Sequence, residues 1–323
     1  MKFRLAVCLL ALLLLLGVSV SHAQSYPAKP IRWLVPYPAG GGSDFLARTI
    51  GQQLSAQVGQ SVVIDNKPGG NTSIAASETA RSAPDGYTIL SADNGTMVFN
   101  TALYSKLSYI PEKDLAPVTL MGRFPMILVV GPGSDAKDAK DFIAKAKANP
   151  GKVSFGSVGA GSPHHLAMEL LKVTAGLHMV HIPYRGAAPA LGDLAGGQIP
   201  AMMVDMAAGA AFIKSGKIRP LAVANATRLA QLPEVPTFAE LGHKNVEAAA
   251  LVGIVAPAGT PPNVVSALQK QVSAAINQPA IKQRLIDFGI EPVGNTPQQY
   301  ADQLREEVVR WHKIIKDQKI SLD

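Results

Sequence analysis

The chain has 323 residues, a formal net charge of +7 at pH 7 and few aromatic residues, 6% of the total. Its basic excess is spread along the sequence without any run of five or more like charges, which argues against a nucleic-acid partner. A modest basic excess of this kind is compatible with a small anionic ligand.

The N-terminus has the three parts of a secretory signal peptide. Lys2 and Arg4 precede an apolar run at positions 5–20, and small residues follow at Ser21 and Ala23. This order of a basic, an apolar and a small-residue segment is typical of a cleaved export signal. The apolar run is shorter than the roughly 20 residues that a membrane-spanning helix needs. We therefore predict cleavage after Ala23 and export to the periplasm.

The one cysteine, Cys8, precedes most of the apolar run, whereas a lipidated cysteine would follow it, so we expect no lipid anchor. The mature chain then has no cysteine. In an oxidising compartment its stability must come from a hydrophobic core and not from disulfides. The length that remains suits two domains of about 150 residues each.

Strands and helices alternate in the first third of the chain. The apolar run at positions 31–36 predicts a buried strand that ends in the glycine-rich turn 38–44. Leu46, Ile50 and Leu54 recur every four residues, which predicts a helix that begins near Ser43 or Asp44 and ends before Gly59. The next predicted elements are strand 61–65, helix 72–82 and strand 87–92.

The alternation then restarts, and two α/β units in series predict two lobes with a ligand cleft between them. Alternating strands and helices also predict a parallel sheet covered on both faces. In the last helix Thr296 is the expected N-cap and Pro297 the first helical residue. The elements predicted here are strands 126–130, 152–155, 180–183, 201–205 and 249–256, and helices 136–148, 162–174, 188–195, 263–277 and 297–318.

Two glycine-rich loops join a predicted strand to a predicted helix. In the first, at positions 38–44, three consecutive glycines allow the backbone N–H groups to approach a carboxylate at a helix N-terminus. The alternative is a tight turn that requires positive φ. The second loop, at positions 157–163, lacks a third glycine at position 164, and no Gly-Lys-Ser/Thr follows either loop, so neither matches a nucleotide fingerprint. The pair suggests one anion held from both sides.

No arrangement of catalytic or metal-binding residues is complete. Around Ser157, Phe155 stands where a nucleophile elbow needs glycine. His164 and His165 lack the frame of a zinc site. We therefore expect no enzymatic activity, no cofactor and no metal.

Three polar residues remain candidates for ligand contact. His165 lies beside the second loop, and Asp205 ends an apolar strand, where it can meet an ammonium or hydroxyl group of the ligand. Asp44 lies in the first turn of a predicted helix. For Asp44 and Asp205 the alternative is a helix cap.

The ordered motifs of this chain resemble the substrate receptors of the tripartite tricarboxylate transporters, the Bug or TctC family. The resemblance covers essentially the whole mature chain. It rests on positions 35–41 with Asp44 and Arg48, and on 66–69, 84–88, 161–162, 165–166, 181–186, 196–198, 221–223, 228, 233–237 and 256–261.

The resemblance implies an α/β type II periplasmic-binding-protein fold that closes on its ligand like a flytrap. Lobe 1 would comprise 24–124 and 248–323, and lobe 2 would comprise 125–247. Relatives typically hold a carboxylate through backbone groups and bridging waters between two loops, which correspond here to 37–44 and 157–165. The expected ligand-binding residues are Tyr37, Pro38, Ala39, Gly40, Gly41, Gly42, Ser43, Asp44, Asn94, Gly95, Ser157, Gly159, Ala160, Gly161, Ser162, His165, Tyr184 and Asp205.

The choice of solute does not follow from the resemblance. Many relatives have Phe-Ala where this chain has Tyr37 and Pro38, and the family varies Asn94, Gly95 and Asp205. A dicarboxylate, a tricarboxylate, an acidic amino acid or an aromatic acid are all compatible with two opposed carboxylate-binding loops.

The sequence leaves three functions to compare. The first is capture of a carboxylate by a monomer that delivers it to membrane transporter subunits. The second is ligand sensing through a sensor-kinase ectodomain, which would recognise the same closed lobes. The third is a periplasmic hydrolase or isomerase that uses Asp44, His165 or Asp205, for which the spacing supplies no activated nucleophile. Capture is the function that we expect.

Overall fold

The computed structural model describes residues 26–323. The predicted signal peptide, the cleavage site after Ala23 and Cys8 lie outside the described residues. Within 26–323, no helix combines the length and the apolar character needed to cross a membrane.

Ten strands and eleven α-helices make up most of the described chain. The strands are β1 Ile31–Val35, β2 Val62–Asn66, β3 Thr88–Ala92, β4 Leu115–Val130, β5 Val153–Ser157, β6 Met179–Pro183, β7 Ala201–Val204, β8 Arg219–Ala224, β9 Ala249–Pro257 and β10 Glu291–Pro292. The helices are α1 Gly42–Val58, α2 Ser73–Ala80, α3 Asn100–Leu103, α4 Pro111–Asp114, α5 Ala139–Ala148, α6 Pro163–Ala175, α7 Ala187–Ala195, α8 Met206–Lys214, α9 Pro262–Asn277, α10 Pro279–Asp287 and α11 Pro297–Asp317. A π-helical turn, Gly95–Phe99, leads into α3.

One mixed sheet runs through the molecule in the order β2-β1-β3-β9-β4-β7-β5-β6, with β8 and β10 also paired to β4. The outer strands are parallel: β1 pairs with β2 and β3, and β5 pairs with β6 and β7. The central strands are antiparallel, because β9 pairs with both β3 and β4, and β4 pairs with β7 and β8. The prediction of a parallel sheet therefore holds for the outer strands and is wrong for the centre.

Strand β4 belongs to both halves of the sheet. Its residues up to Pro125 pair with β9, while the residues from Met126 onward pair with β7 and β8. At the change of partner, Met126 N donates to Ala248 O over 3.0 Å and Ala248 N donates to Ala224 O over 2.9 Å. We propose that the lobes, 24–124 with 248–323 and 125–247, divide at this point.

Only the second part of β4 was predicted from the sequence. Proline cannot donate to a sheet ladder, so Pro117 and Pro125 obscure the first part. The structure accommodates the irregularity with register shifts between Pro117 and Thr119 and between Leu120 and Gly122. Pro220 conceals β8 in the same way, and that strand was missed entirely.

The remaining predicted elements lie within a few residues of the observed ones, and α3, α4, α8, α10 and β10 were not predicted. The last helix is as predicted. Thr296 and Gln299 form a reciprocal capping box, and Pro297 is the first helical residue. The buried face of α11 consists of Tyr300, Leu304, Trp311 and Ile315, and Val308 on the same face is half-buried.

The core packs closely around the crossing strands. Gly253, in the middle of β9, has no room for a side chain, since a Cβ placed there would overlap the ring of Tyr300. Tyr300 is fully buried and donates from its hydroxyl to Ala92 O over 3.3 Å. The ring therefore lies directly on the strand that links the two lobes.

Gly253→Ala should lower the free energy of unfolding by about 1–3 kcal/mol, because Tyr300 has no free space to move into. Urea unfolding followed by circular dichroism would measure the change. Gly192→Ala is the matched control: a Cβ at Gly192 meets nothing within 4 Å, and alanine is the better helix former by about 1 kcal/mol. Equal stability of the two variants would contradict the packing argument.

Candidate ligand-binding cleft

The first glycine-rich loop turns from β1 into α1 at one side of a cleft. Gly40 has φ +86°, a conformation that favours glycine, so part of the loop is a strained turn. Gly41 is the N-cap of α1, with an extended φ of −87° and no side-chain cap. The first N–H groups of α1 therefore have no side chain bound to them, as an anion site at a helix N-terminus requires.

Asp44 fixes the shape of this loop from behind and does not line the cleft. Its carboxylate accepts from Gly40 N, from Arg48 Nε and from Asn66 Nδ2, each over 3.0 Å. Asn66 Nδ2 also donates to Tyr37 O over 3.0 Å. Burial alone would raise the pKa of Asp44, but the hydrogen bonds from Arg48, Gly40 and Asn66 outweigh burial and hold the pKa below its usual value.

The cleft has a volume of about 710 Å³, which includes space open to solvent. One wall is the first loop, the back is formed by the crossing strands β4 and β9, and the opposite wall is formed by the N-termini of α6, α7 and α8. Its lining residues are Tyr37, Pro38, Ala39, Gly40, Gly41, Gly42, Ser43, Asp93, Phe124, Val158, Pro163, His164, Arg185, Gly186, Ala187, Ala188, Pro189, Asp205, Ala208, Ala250 and Val252.

The first loop contacts the opposite wall directly. A Cβ added to Gly42 would lie 3.2 Å from Asp205 Oδ1 and 3.1 Å from Phe124 Cε1. A Cβ added to Gly186 would lie 3.2 Å from Pro38 Cγ. The described structure is therefore a closed form in which glycines on both sides allow the walls to meet.

A half-buried tyrosine, Tyr37, and a buried carboxylate, Asp93, lie together on the β1 side of the cleft. The Tyr37 hydroxyl donates to Asp93 Oδ2 over 2.6 Å, and Asp93 Oδ1 accepts from the N–H and the hydroxyl of Thr96 over 2.8 and 2.9 Å. Burial, followed by the charge of Asp93, raises the pKa of Tyr37 well above its usual value. Tyr37 is therefore a neutral phenol whose hydroxyl already donates a hydrogen bond to Asp93.

The second predicted loop lies beside the main cleft. Gly159, Ala160 and Ser162 line a neighbouring cavity that is open to solvent, together with Tyr184 and one side of Tyr37 and Pro38. Gly161 faces away from both cavities, since a Cβ there would meet Asn71, Leu103 and Leu322. The two cavities share the residues Tyr37, Pro38, Val158, Arg185 and Gly186.

Ser157 and His165 are buried in a stack of rings behind this loop. The rings of His165 and His181 are stacked at 3.8 Å, and Phe155 stacks on His181 at 5.0 Å. Ser157 Oγ lies 2.7 Å from His181 Nε2. His165 Nδ1 accepts from Gly161 N over 3.1 Å, and its Nε2 lies 3.5 Å from Glu169 Oε1. These side chains hold the loop in place, and they line neither cavity.

Asn94 and Gly95 are buried as well and do not line the cleft. Asn94 Nδ2 donates to Ala249 O over 3.0 Å, and Asn94 Oδ1 accepts from Leu251 N over 3.4 Å. The side chain therefore fastens the start of β9 from the back of the cleft. Tyr184 lines only the neighbouring cavity, and its hydroxyl donates to Asp193 over 2.8 Å.

Several lining residues were not among the predicted site residues. The sequence excluded His164 as a zinc ligand and gave no reason to expect it in the cleft. The N-terminus of α7, whose N-cap Gly186 provides no side-chain cap, was also not predicted as part of the site. Tyr184 was an expected ligand contact, but its neighbours Arg185 and Gly186 contributed only to the family resemblance. An uncapped strand-to-helix turn that contains glycine was the available signal, and it is the same signal that identified the first loop.

Asp205 both caps a helix and lines the cleft. Its Oδ1 accepts from Ala208 N over 2.9 Å at the start of α8, and its Oδ2 lies 3.0 Å from His164 Nε2. The two interpretations weighed for Asp205 are therefore compatible. Within residues 26–323, no group of three or more His, Cys, Asp or Glu side chains is placed to hold a metal ion.

The buried state of His181 makes stability depend on pH. Burial, with a further contribution from His165, lowers the pKa of His181 from 6.5 to about 3. Between these values the unfolded chain binds a proton at this position and the folded chain does not. The free energy of unfolding should therefore decrease as the pH falls below 6.5, by up to about 1.4 kcal/mol per pH unit from this residue.

His181→Gln should remove that part of the pH dependence, because glutamine does not titrate. Urea unfolding at several pH values between neutral and mildly acidic would measure the slope. His178→Gln is the control, since His178 is exposed and its replacement should leave the slope unchanged. A slope in His181→Gln as steep as in the wild type would refute the assignment.

The chain is similar to a family of known receptors along most of its length. The model of the tripartite tricarboxylate transporter family receptor matches residues 46–320. BugT of Bordetella pertussis is 35% identical over 296 residues, which cover 91% of each chain.

Two solved structures share the fold closely. Rpa4515 of R. palustris, solved with adipate, superimposes with a TM-score of 0.87 at 35% identity, covering 90% of this chain and 97% of that one. MatC of Rhodopseudomonas palustris, solved with bound malate, has a TM-score of 0.84 at 30% identity, covering 90% of this chain and all of that one.

Proposed function

The chain belongs to the tripartite tricarboxylate transporter receptor family, and from this premise we propose that it captures a small carboxylated solute in the described cleft and delivers it to a membrane transporter. Members of the family are solute-binding receptors and not enzymes, and the sheet and the closed cleft agree with that role. We also propose which part of the cleft binds the carboxylate and which membrane protein receives the solute.

Two uncapped helix N-termini face the same cleft, and this observation carries the proposal. Helix α1 begins after Gly41 and α7 begins after Gly186, and neither N-cap provides a side-chain hydrogen bond. By contrast, α6 and α8, which also begin at the cleft, are capped by Ser162 and Asp205. Free N–H groups and the positive ends of two helix dipoles favour an anion between α1 and α7.

Arg185 strengthens this end of the cleft. It lies one residue before the N-cap of α7, its side chain is exposed, and it lines both cavities. A guanidinium group binds a carboxylate through two parallel hydrogen bonds. Arg185 is thus positioned to meet the solute as it enters and to remain beside its carboxylate.

The solute that we propose is a dicarboxylate, a tricarboxylate, an acidic amino acid or an aromatic acid. The cleft is lined mainly by glycine, alanine, proline and other apolar residues with a few polar groups among them, as is usual for small-molecule sites. The adipate and malate that accompany two relatives support a carboxylate as the class. The neighbouring cavity beyond Pro38 and Gly186 provides further space for a longer solute.

We further propose that the chain is exported and that its partner is a membrane transporter. A signal peptide that is removed after Ala23 would place the mature chain in the periplasm, where the membrane subunits of a transporter can reach it. Ligand sensing through a sensor kinase would use the same closed form. Measurements on cells from which the gene has been deleted distinguish transport from sensing. Transport predicts a loss of solute uptake, whereas sensing predicts only a loss of the gene induction that the solute causes.

Purified mature protein should be stabilised by at least one carboxylate from a panel of dicarboxylates, tricarboxylates, acidic amino acids and aromatic acids. A ligand at 100 times its dissociation constant adds about 2.7 kcal/mol to the free energy of unfolding. Differential scanning fluorimetry would detect that shift, with protein dialysed in denaturant and refolded to remove any solute carried through purification. A flat response to the whole panel would end the proposal.

Gly41→Val should weaken the binding of every carboxylate without unfolding the protein. The backbone at Gly41 suits any residue, and a Cβ there meets only Pro38 O, at 3.9 Å. The valine methyl groups would therefore project into the cleft beside the free N–H groups of α1. Isothermal titration calorimetry would measure a loss of at least tenfold, about 1.4 kcal/mol.

Gly192→Val is the matched control for Gly41→Val, because Gly192 is exposed and lies on α7 away from the cleft. It should retain the affinity of the wild type. If Gly41→Val instead changed the preference among carboxylates without a general loss, the first loop would be a specificity element and not the general carboxylate site.

A further inference from the structure

His164 has an unusual position for a histidine at the start of a helix. It is the second residue of α6, it lines the cleft, and only 8% of its surface is exposed. Among the buried side-chain nitrogen and oxygen atoms of residues 26–323, His164 Nδ1 is the one without a hydrogen-bond partner. A buried polar atom without a partner is energetically unfavourable, which requires an explanation.

The partner of the other ring nitrogen determines what Nδ1 can do. His164 Nε2 lies 3.0 Å from Asp205 Oδ2, and a carboxylate oxygen only accepts, so Nε2 carries a proton and donates. In the neutral ring Nδ1 then has a lone pair and no hydrogen. Asp205 is itself held in place because its Oδ1 accepts from Ala208 N. The ring is therefore held through Nε2, and in its neutral form Nδ1 is an acceptor with no partner in the protein.

Other polar groups on this side of the cleft are already paired. Both oxygens of Asp205 accept from the protein, and on the facing side both oxygens of Asp93 accept from Tyr37 and Thr96. A solute that brings a hydroxyl or amine into the cleft therefore finds its unsatisfied acceptor at His164. A solute without such a donor leaves Nδ1 unpaired.

We propose that His164 Nδ1 accepts a hydrogen bond from a hydroxyl or amine group of the bound carboxylate, and that it selects hydroxy and amino carboxylates over their deoxy parents. The inference rests on the proposed function, since it assumes that a carboxylate occupies this cleft. It assigns the choice of solute to a side chain on the second lobe, while the carboxylate itself is held by backbone groups.

The test measures affinity for matched pairs of acids by isothermal titration calorimetry. Suitable pairs are malate with succinate, 3-hydroxybutyrate with butyrate, and mandelate with phenylacetate, each hydroxy acid as separate enantiomers. For the pair that fits the cleft, the wild type should bind one hydroxy acid about tenfold more tightly than its parent, as one hydrogen bond to a buried acceptor predicts.

Two conservative variants separate Nδ1 from Nε2. In His164→Asn the side-chain oxygen lies near the former position of Nδ1, so the preference for the hydroxy acid should persist although the contact with Asp205 is lost. In His164→Gln the side-chain amide can still donate to Asp205, but no acceptor remains at the position of Nδ1, so the preference should fall to about twofold or less. His164→Phe keeps the ring shape and should also lose the preference.

His178→Gln is the remote control and should retain the full preference. Thermal unfolding of each variant establishes that it is folded before affinities are compared. If His164→Gln or His164→Phe keeps the preference, or if the wild type binds both members of every pair equally, the role of His164 is refuted while capture of carboxylates stands. If the wild type binds no acid of any pair or of the wider panel, the proposed function fails as well.

Discussion

The two antiparallel strands β4 and β9 are the constraint on which the cleft depends. They connect the halves of the sheet, and their residues Phe124, Ala250 and Val252 form the back of the cleft. The side chain of Asn94 is hydrogen-bonded to the backbone at the start of β9, and Tyr300 covers Gly253 farther along the same strand. The residues that join the lobes therefore also set the depth and shape of the space between them.

The walls of the cleft are helix N-termini, and the capped and uncapped N-termini have different roles. Where Ser162 and Asp205 cap α6 and α8, one N–H group in the first turn of each helix, at His165 and Ala208, is satisfied by the cap. Where Gly41 and Gly186 occupy the N-cap, the N–H groups are left for an anion. A general carboxylate site and a side-chain site for selectivity can then coexist in one cleft, because different helices supply them.

Many of the polar residues near the cleft serve the loops and not the solute. Asp44 and Asn66 hold the first loop from behind, and His165 holds the second through Gly161. Such a residue follows the same pattern in the sequence as a ligand contact, since both are polar side chains beside glycines. Asp205 has both roles, because one oxygen caps α8 while the other faces His164.

The sequence by itself determined the α/β class, the capped last helix and the two glycine loops, because periodicity, capping and glycine content are local properties. It also identified the family through motifs along the whole chain. Only the tertiary structure decided which strand-to-helix loops face each other across the cleft. The wall opposite Gly41 includes the uncapped N-terminus of α7, and His164 faces Asp205 from a distant segment. These pairings depend on the long irregular strand β4, whose first part is hidden from any local pattern by Pro117 and Pro125.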